Sequence, residues 1–96
     1  MTVGMPNGAP EYRVAFSHSA EKELAALDPP VARRVLAAIE RLKANPRPPD
    51  CVKLTGSEND WRIRVGDWRV VYRIDDARQL VEITIIAHRR DVYREL

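Results

Sequence analysis

The sequence predicts a small α+β domain in which two N-terminal helices pack on one face of a mainly antiparallel β-sheet. Three observations lead to this prediction. The chain has 96 residues, of which 45% are hydrophobic, so it can bury one modest core. Its first half shows helical periodicity, and its second half alternates apolar with charged residues. The predicted element order is β-α-α-β-β-β, which is typical of α+β domains.

The N-terminal part of the chain predicts a leader, a strand and a helix. Residues 1–10 are rich in glycine and proline, so we expect a flexible leader followed by one domain at residues 11–96. Residues 12–16 alternate weakly and predict a short first strand. Ser17 and Ser19 are both suitable N-caps for the helix that follows.

A second and longer helix is predicted after the Pro29-Pro30 pair, because proline is well tolerated in the first turn of a helix. Its apolar residues recur at helical spacing and predict a stripe that packs on the sheet. They are Val31, Val35, Leu36, Ile39 and Leu42. The helix is expected to end before Asn45-Pro46, where a proline-rich connector begins.

The clearest β pattern runs from Asp60 to Arg73, where arginines alternate with large apolar residues. Gly66-Asp67 has the length and composition of a tight hairpin turn, and it sets Arg64 opposite Arg69. A strand directs successive side chains to opposite faces. One face of the hairpin, the arginine face, is therefore expected to carry Arg62, Arg64, Arg69 and Arg73.

A last strand is predicted at Leu80–His88, after a turn around residues 75–78. We expect it to extend the arginine face through Glu82, Thr84, Ile86 and His88. Its other residues are then expected in the core, namely Val81, Ile83, Ile85 and Ala87. Residues 89–96 are predicted to form either a short helix or an irregular end.

The arginine face indicates a site for an anion. Like charges directly across a strand pair are destabilising, and a phosphate between Arg64 and Arg69 would remove that repulsion. Two parallel N–H donors of a guanidinium match two phosphate oxygens. The competing interpretation is a solvated sheet face whose arginines pair with acids such as Asp60 and Glu82. Phosphate contacts alone would not distinguish DNA, RNA or an acidic protein segment.

Composition excludes several other classes of protein. The single Cys51 rules out an internal disulfide, and two histidines make a zinc site a poor prediction. No run approaches the ~20 apolar residues of a membrane span, and the N-terminus does not resemble a signal peptide. We expect a cytoplasmic protein without a cofactor or metal. The formal charge of +2 is too small to indicate nucleic-acid binding by itself.

Four blocks of the sequence together resemble the RelE/ParE toxin superfamily, and specifically its RelE branch. They are Lys53-Leu-Thr-Gly56, Trp61-Arg-Ile-Arg64, Asp67-Trp-Arg-Val-Val-Tyr-Arg73 and His88-Arg-Arg-Asp-Val-Tyr93. The order and spacing of these blocks carry the resemblance, and the two preceding helices also fit the family. It covers nearly all of the chain after residue 10.

The resemblance implies the toxin of a type II toxin–antitoxin system that cleaves messenger RNA on the ribosome. Cleavage would proceed without a metal, by attack of the RNA 2′-hydroxyl on the adjacent phosphate. It also implies an antitoxin whose amphipathic C-terminal segment wraps the toxin in a hetero-oligomer. Two alternatives remain open: a ParE-like protein that inhibits DNA gyrase by binding it, and a non-catalytic interaction module or decayed toxin.

The resemblance also implies roles for individual residues. Arg69 would stabilise the phosphate, Arg89 would lie near the leaving group, and Tyr93 would stack on a nucleotide. Arg62 and Arg64 replace two lysines of well-studied relatives, one of which is the proposed base. Arginine stays protonated, so we expect His88 to transfer the proton, although a strand-end histidine bonded to backbone is an equal alternative. The residues expected to bind RNA are Arg62, Arg64, Arg73, Lys53 and Arg90.

Overall fold

The computed structural model describes residues 11–91, so the predicted leader and Tyr93 lie outside the described part of the chain. Two helices and five strands follow one another in this range. They are β1 (Arg13–Phe16), α1 (His18–Ala25), α2 (Pro29–Arg41), β2 (Val52–Lys53), β3 (Asp60–Val65), β4 (Trp68–Asp75) and β5 (Leu80–His88). No helix within residues 11–91 is long and apolar enough to cross a membrane.

The five strands form one sheet in the order β1-β5-β4-β3-β2. β1 runs parallel to β5, and all other neighbours are antiparallel. This arrangement confirms the predicted α+β class. The short strand β2 was not predicted, because two residues in a proline-rich connector show no alternation that a sequence pattern could reveal.

Ser17 is the N-cap of α1, which resolves the choice between the two candidate serines. Its hydroxyl accepts a hydrogen bond from the backbone N–H of Ala20 at 3.1 Å. Its own backbone N–H donates to the carbonyl of Ile83 at 2.8 Å, which joins the helix start to the central part of β5. The helix then ends at Ala25, three residues before Asp28.

The stripe of α2 faces the sheet as its spacing predicts. Val35, Ile39 and Leu42 are buried, Val31 is half-buried, and Leu36 lies at the margin with 43% of its surface exposed. Asp28 stands at the N-cap position without a side-chain capping bond, and Pro29 begins the helix. The apolar stripe therefore positions α2 on the sheet.

Tyr72 connects the core to the proline-rich connector. It is fully buried, and its hydroxyl donates to the carbonyl oxygen of Pro46 at 2.7 Å. Burial raises the pKa of the Tyr72 hydroxyl well above its ordinary value. A buried hydroxyl that stays protonated is a permanent donor, so this bond holds the connector against the middle of β4.

The β3–β4 hairpin has the predicted register. Val65 lies opposite Trp68, Arg64 opposite Arg69, and Asp60 opposite Arg73. Gly66 adopts a φ of +61°, a left-handed conformation that L-residues other than asparagine and aspartate rarely adopt. The turn therefore favours glycine at this position.

The predicted faces of β5 are correct as far as Ile83 but wrong from Ile85 onward, because the pairing of β4 with β5 shifts between Val71 and Tyr72. Tyr72 lies opposite Ile83 but Val71 lies opposite Ile85, so β5 contributes one extra residue, Thr84. The Thr84 hydroxyl donates to the carbonyl of Val71 at 3.2 Å. After such a bulge, every later side chain of the strand lies on the opposite face of the sheet from the one that simple alternation predicts.

The consequence is that Ile86 and His88 lie on the helix-covered face and not on the arginine face. Ile86 is 2% exposed in the core, and His88 pairs with Trp68. Ile85 and Ala87 lie on the arginine face instead, opposite Val71 and Arg69. Alternation in sequence could not reveal the extra residue, because the pattern on both sides of Thr84 is equally apolar.

A polar cluster joins three distant parts of the surface around Asp76. Its carboxylate accepts hydrogen bonds from the Tyr12 hydroxyl at 2.6 Å and from both terminal nitrogens of Arg47 at 3.2 and 2.8 Å. The same guanidinium lies 5.2 Å from the ring centroid of Trp61. The bonds from Arg47 and Tyr12 lower the pKa of Asp76 below its ordinary value.

Replacing Gly66 with alanine is expected to lower the free energy of unfolding by about 1–2 kcal/mol, because a left-handed conformation then carries a Cβ. The cost is measured by urea denaturation. Gly66→Asn is the matched control and should lose less, since asparagine tolerates this conformation. Equal stability of wild type and Gly66→Ala would contradict the assigned turn.

Replacing Tyr72 with phenylalanine is expected to lower the free energy of unfolding by about 1–3 kcal/mol, because the Pro46 carbonyl loses its donor. Tyr12→Phe is a useful comparison, since the Tyr12 hydroxyl lies at the surface and should contribute less. A larger loss in Tyr12→Phe than in Tyr72→Phe would show that the buried bond is unimportant.

The Asp76 cluster is expected to stabilise the fold at neutral pH and to lose its effect in acid. The pKa of Asp76 is lower in the folded chain than its ordinary value of 3.8. Its stabilisation is therefore complete well above that value and disappears as pH falls through the folded pKa. Asp76→Asn should be less stable than wild type at pH 7, and the difference should shrink as the pH falls below the ordinary pKa of an aspartate, about 4.

Urea denaturation at several pH values measures this difference. Asp50→Asn is the control, because Asp50 is exposed and forms no ion pair within residues 11–91. A constant difference between wild type and Asp76→Asn across the whole pH range would show that ionisation of Asp76 does not matter.

Candidate nucleic-acid interface

The centre of the arginine face is the Arg64–Arg69 pair next to the hairpin turn. The two residues lie directly opposite each other on β3 and β4. Arg64 is exposed, whereas Arg69 is only 8% exposed, and its Nη1 donates to the carbonyl of Trp68 at 3.3 Å. Arg69 is thus held in place by its surroundings, while Arg64 projects from the surface. Two guanidinium groups of different burial therefore share one end of the sheet.

Arg62 extends this positive surface along β3. It lies between Val52 of β2 and Val71 of β4 and is half-buried. Its Nε is buried and has no hydrogen-bond partner within residues 11–91. Neither Arg62 nor Arg64 forms an ion pair with a described carboxylate. A buried donor without a partner is energetically unfavourable.

The far end of the arginine face is neutralised by acids. Arg73 Nε lies 3.1 Å from Asp60 Oδ1, and the Ser57 hydroxyl donates to the same carboxylate at 2.8 Å. Partial burial opposes the charged form of Asp60, but the bonds from Arg73 and Ser57 prevail and lower its pKa. Glu82 lies opposite Arg73 on the other side. Net positive charge is therefore concentrated at the turn end, away from Arg73.

Lys53 does not join the arginine face. It lies opposite Trp61, which in turn lies opposite the buried Tyr72, so its side chain belongs to the helix-covered side of the sheet. Val52 is the residue of β2 that shares a face with Arg62. The sequence block that contains Lys53 could not reveal this, because a two-residue strand has no periodicity from which to infer facing.

Arg89 lies at the turn end of the sheet, next to Asp67. Its backbone N–H donates to the Asp67 carbonyl at 2.7 Å, and its Nε lies 4.0 Å from the Asp67 carboxylate. Arg90 is exposed, and its backbone N–H is 3.5 Å from His88 Nδ1. Residues 89–91 are helical. Tyr93, expected to stack on a nucleotide, lies beyond the described range.

His88 is separated from the Arg64–Arg69 pair by the sheet. Its ring packs edge-on against Trp68, with centroids 5.4 Å apart and planes at 82°. Both rings line a cleft of about 480 Å³ together with Glu23 and Leu27 of α1. The expectation that His88 lies beside the arginines is therefore wrong, and the β-bulge at Thr84 is the physical reason. Neither histidine lies on the arginine face, since His18 belongs to α1.

Sequence reasoning missed two residues near this end of the sheet. Glu23 of α1 accepts a hydrogen bond from the backbone N–H of Ile86 at 2.7 Å. Arg34 of α2 lies against Gly66, where a Cβ would be 2.7 Å from Arg34 Nη2. The position of Arg34, three residues after Val31, could have indicated that it faces the sheet. Residues 11–91 contain no group of three or more side chains able to hold a metal ion.

Comparison with known proteins identifies the family. The sequence model described as the ParE toxin of the type II toxin–antitoxin system parDE matches residues 14–93. A protein of Methanocaldococcus jannaschii designated as a candidate toxin, RelE1, is 30% identical over 87 residues, which cover 88% of this chain and 97% of the relative. The family match thus extends over both helices and over the sheet from Val14 onward.

Solved structures show the same fold. A chain of the archaeal RelE–RelB complex from Pyrococcus horikoshii OT3 matches with a TM-score of 0.73 at 30% identity, covering 81% of this chain and 94% of that one. A chain of the RelBE2 toxin–antitoxin complex from Mycobacterium tuberculosis matches with a TM-score of 0.72 at 30% identity, covering 84% of this chain and 100% of that one. The isolated Escherichia coli RelE toxin matches with a TM-score of 0.73 at 22% identity, covering 88% of this chain and 99% of that one. At this low identity the match supports the fold alone.

The fold, the family-model match and these relatives agree with the resemblance of the four sequence blocks. The chain belongs to the RelE/ParE superfamily and is a toxin of the type II toxin–antitoxin class.

Proposed function

We propose that this toxin is an endoribonuclease that cleaves messenger RNA on the ribosome. The observation that carries the proposal is the group of Arg62, Arg64 and Arg69 at one end of an otherwise neutralised sheet face. Arg62 and Arg64 have no carboxylate partner within residues 11–91, so they can bind phosphate without first breaking an ion pair. A ribosome-directed activity would place the protein in the cytoplasm.

The arginines would act on charge that develops at the reacting phosphate. The 2′-hydroxyl oxygen attacks the adjacent phosphorus, and the bond between that phosphorus and the 5′-oxygen of the next nucleotide breaks. The products are a cyclic phosphate and a 5′-hydroxyl. The pentavalent transition state carries extra negative charge, which preorganised guanidinium groups stabilise more than they stabilise the ground state. Arg69, held against the Trp68 carbonyl, suits this role because it needs little reorganisation.

Proton transfer is a separate requirement that these arginines do not meet. A guanidinium remains protonated at any working pH and cannot accept the 2′-hydroxyl proton. His88, the group expected to do so, lies across the sheet against Trp68. We therefore propose that the arginine face binds the RNA phosphate and stabilises its charge. The group that accepts the 2′-hydroxyl proton lies outside this face, either elsewhere in the toxin or on the ribosome.

An antitoxin is the second proposed partner. The matched structures from P. horikoshii and M. tuberculosis are toxin–antitoxin complexes, which supports a hetero-oligomer of the same kind here. β1 pairs with β5 only as far as Ile83, so no described strand covers residues 84–88 at the outer edge of β5. The cleft beside this edge is lined by apolar residues such as Leu27 and Trp68. An amphipathic antitoxin segment could pair with this edge or pack in the cleft.

Gyrase inhibition is the alternative function, and the family model favours it because its description is that of a ParE toxin. Such an inhibitor would act by binding alone and would not need a phosphate site. A supercoiling assay with purified gyrase separates the two functions, since only the ParE-like protein would block supercoiling without cutting RNA.

Replacing Arg64 with alanine is expected to reduce messenger-RNA cleavage about 100-fold, the typical effect of removing one transition-state donor. Arg64 is exposed, so the fold should persist. The measurement is primer extension on translating messages after induction, together with growth arrest.

Arg73→Ala is the matched control on the same face. Its guanidinium is already engaged by Asp60, so the cut positions and their intensity should change little. Equal losses in Arg64→Ala and Arg73→Ala would show that only overall charge matters. Undiminished cleavage in Arg64→Ala would remove the proposed phosphate site.

A further inference from the structure

Arg34 crosses from α2 to the tip of the β3–β4 hairpin. A Cβ placed on Gly66 would lie 2.7 Å from Arg34 Nη2 and 3.7 Å from Arg34 Cζ, so the guanidinium lies directly on the turn backbone. The positive φ favours glycine at position 66, and the missing Cβ leaves room for the Arg34 guanidinium.

The position of Arg34 in α2 explains this reach. It stands three residues after the half-buried Val31 and four before the buried Ala38 and is itself exposed, so it lies at the margin of the helix side that packs on the sheet. Its aliphatic stem can follow apolar surface while its charged end emerges at the turn. Arg33, one residue earlier, is also exposed but is rotated away from this row.

The hairpin tip carries more positive than negative charge. Arg34 lies against Gly66 of the turn, and Arg64 is two residues before Gly66, on β3. Arg89 lies near the other turn residue, Asp67. Asp67 is 4.0 Å from Arg89, whereas Arg34 and Arg64 form no ion pair within residues 11–91. Arg34 reaches the turn from the helix-covered side, and Arg64 belongs to the arginine face, so positive charge lies on both sides of the hairpin tip.

We infer that Arg34 binds a second phosphate of the RNA, on the helix side of the hairpin turn and outside the cleavage position. The arginine face would hold the reacting phosphate, and Arg34 would hold a neighbouring part of the same strand as it passes over Gly66. Glycine at the tip lets the RNA backbone and the guanidinium approach the turn closely. The inference rests on the proposed ribonuclease function and adds a positioning residue to it.

The test compares Arg34→Ala with Arg33→Ala in binding an uncleavable 2′-O-methyl RNA octamer. Fluorescence anisotropy is measured over a series of salt concentrations. A single-strand phosphate contact contributes about 0.7 to the slope of log affinity against log salt. For Arg34→Ala, this slope is expected to be smaller in magnitude by about 0.7 than for wild type. The variant should also bind the octamer roughly two- to fivefold more weakly at low salt. Arg33→Ala removes the same charge from the same helix turn and should retain the wild-type slope.

Alanine has a higher helix propensity than arginine, so both variants should fold, which thermal denaturation checks. Equal slopes in Arg34→Ala and wild type, or equal losses in both variants, would overturn the inference. If wild type still cleaves translating messages at defined codon positions, the proposed function survives that result. A wild type that neither cleaves messages nor binds the octamer would overturn both. Binding of an acidic protein segment but not RNA would overturn the inference in favour of a protein partner.

Discussion

The two-residue turn at Gly66-Asp67 sets the register on which the arginine face depends. Because the turn has a fixed length, Arg64 must lie opposite Arg69, and every other pair of β3 and β4 follows from that one. One residue more in the turn would shift the pairing and separate the two guanidinium groups. The positive φ of Gly66 and the contact with Arg34 both act at this point. The geometry of the anion site therefore begins in the turn and not in the arginines themselves.

The bulge at Thr84 decides which residues can join that site. It lets β5 place Ile83 and Ile86, three residues apart, in the same core, while Ile85 and Ala87 turn to the arginine face. His88 consequently packs with Trp68 near α1. A sheet without the bulge would bring His88 to the arginine side and bury Ile85 in place of Ile86. The separation of the only nearby imidazole from the arginines is thus a consequence of core packing.

Sequence patterns were sufficient for the parts of the structure that local physics determines. The stripe of α2 and the register of the β3–β4 hairpin followed from spacing and turn chemistry, and both are confirmed. The bulge depends on how β4 and β5 pair across the sheet, which no local pattern records. The facing of Lys53 and the approach of Arg34 to Gly66 depend likewise on tertiary contacts. Neutralisation of Arg73 could be expected from the turn register, since Asp60 lies directly opposite.

The carboxylate of Glu23 has a consequence for self-association. Sheets with exposed edges tend to pair with other chains, and natural proteins guard such edges with charged side chains. Here Glu23 already accepts the hydrogen bond of the Ile86 N–H at the part of β5 that β1 leaves uncovered. A second copy of the chain at this edge would have to replace the carboxylate of Glu23 with a neutral carbonyl as the acceptor. Because a hydrogen bond to a carboxylate is stronger than one to a carbonyl, this replacement is unfavourable. The glutamate thus discourages indiscriminate edge-to-edge pairing, while a partner that brings a positive charge to neutralise it can still bind at this edge.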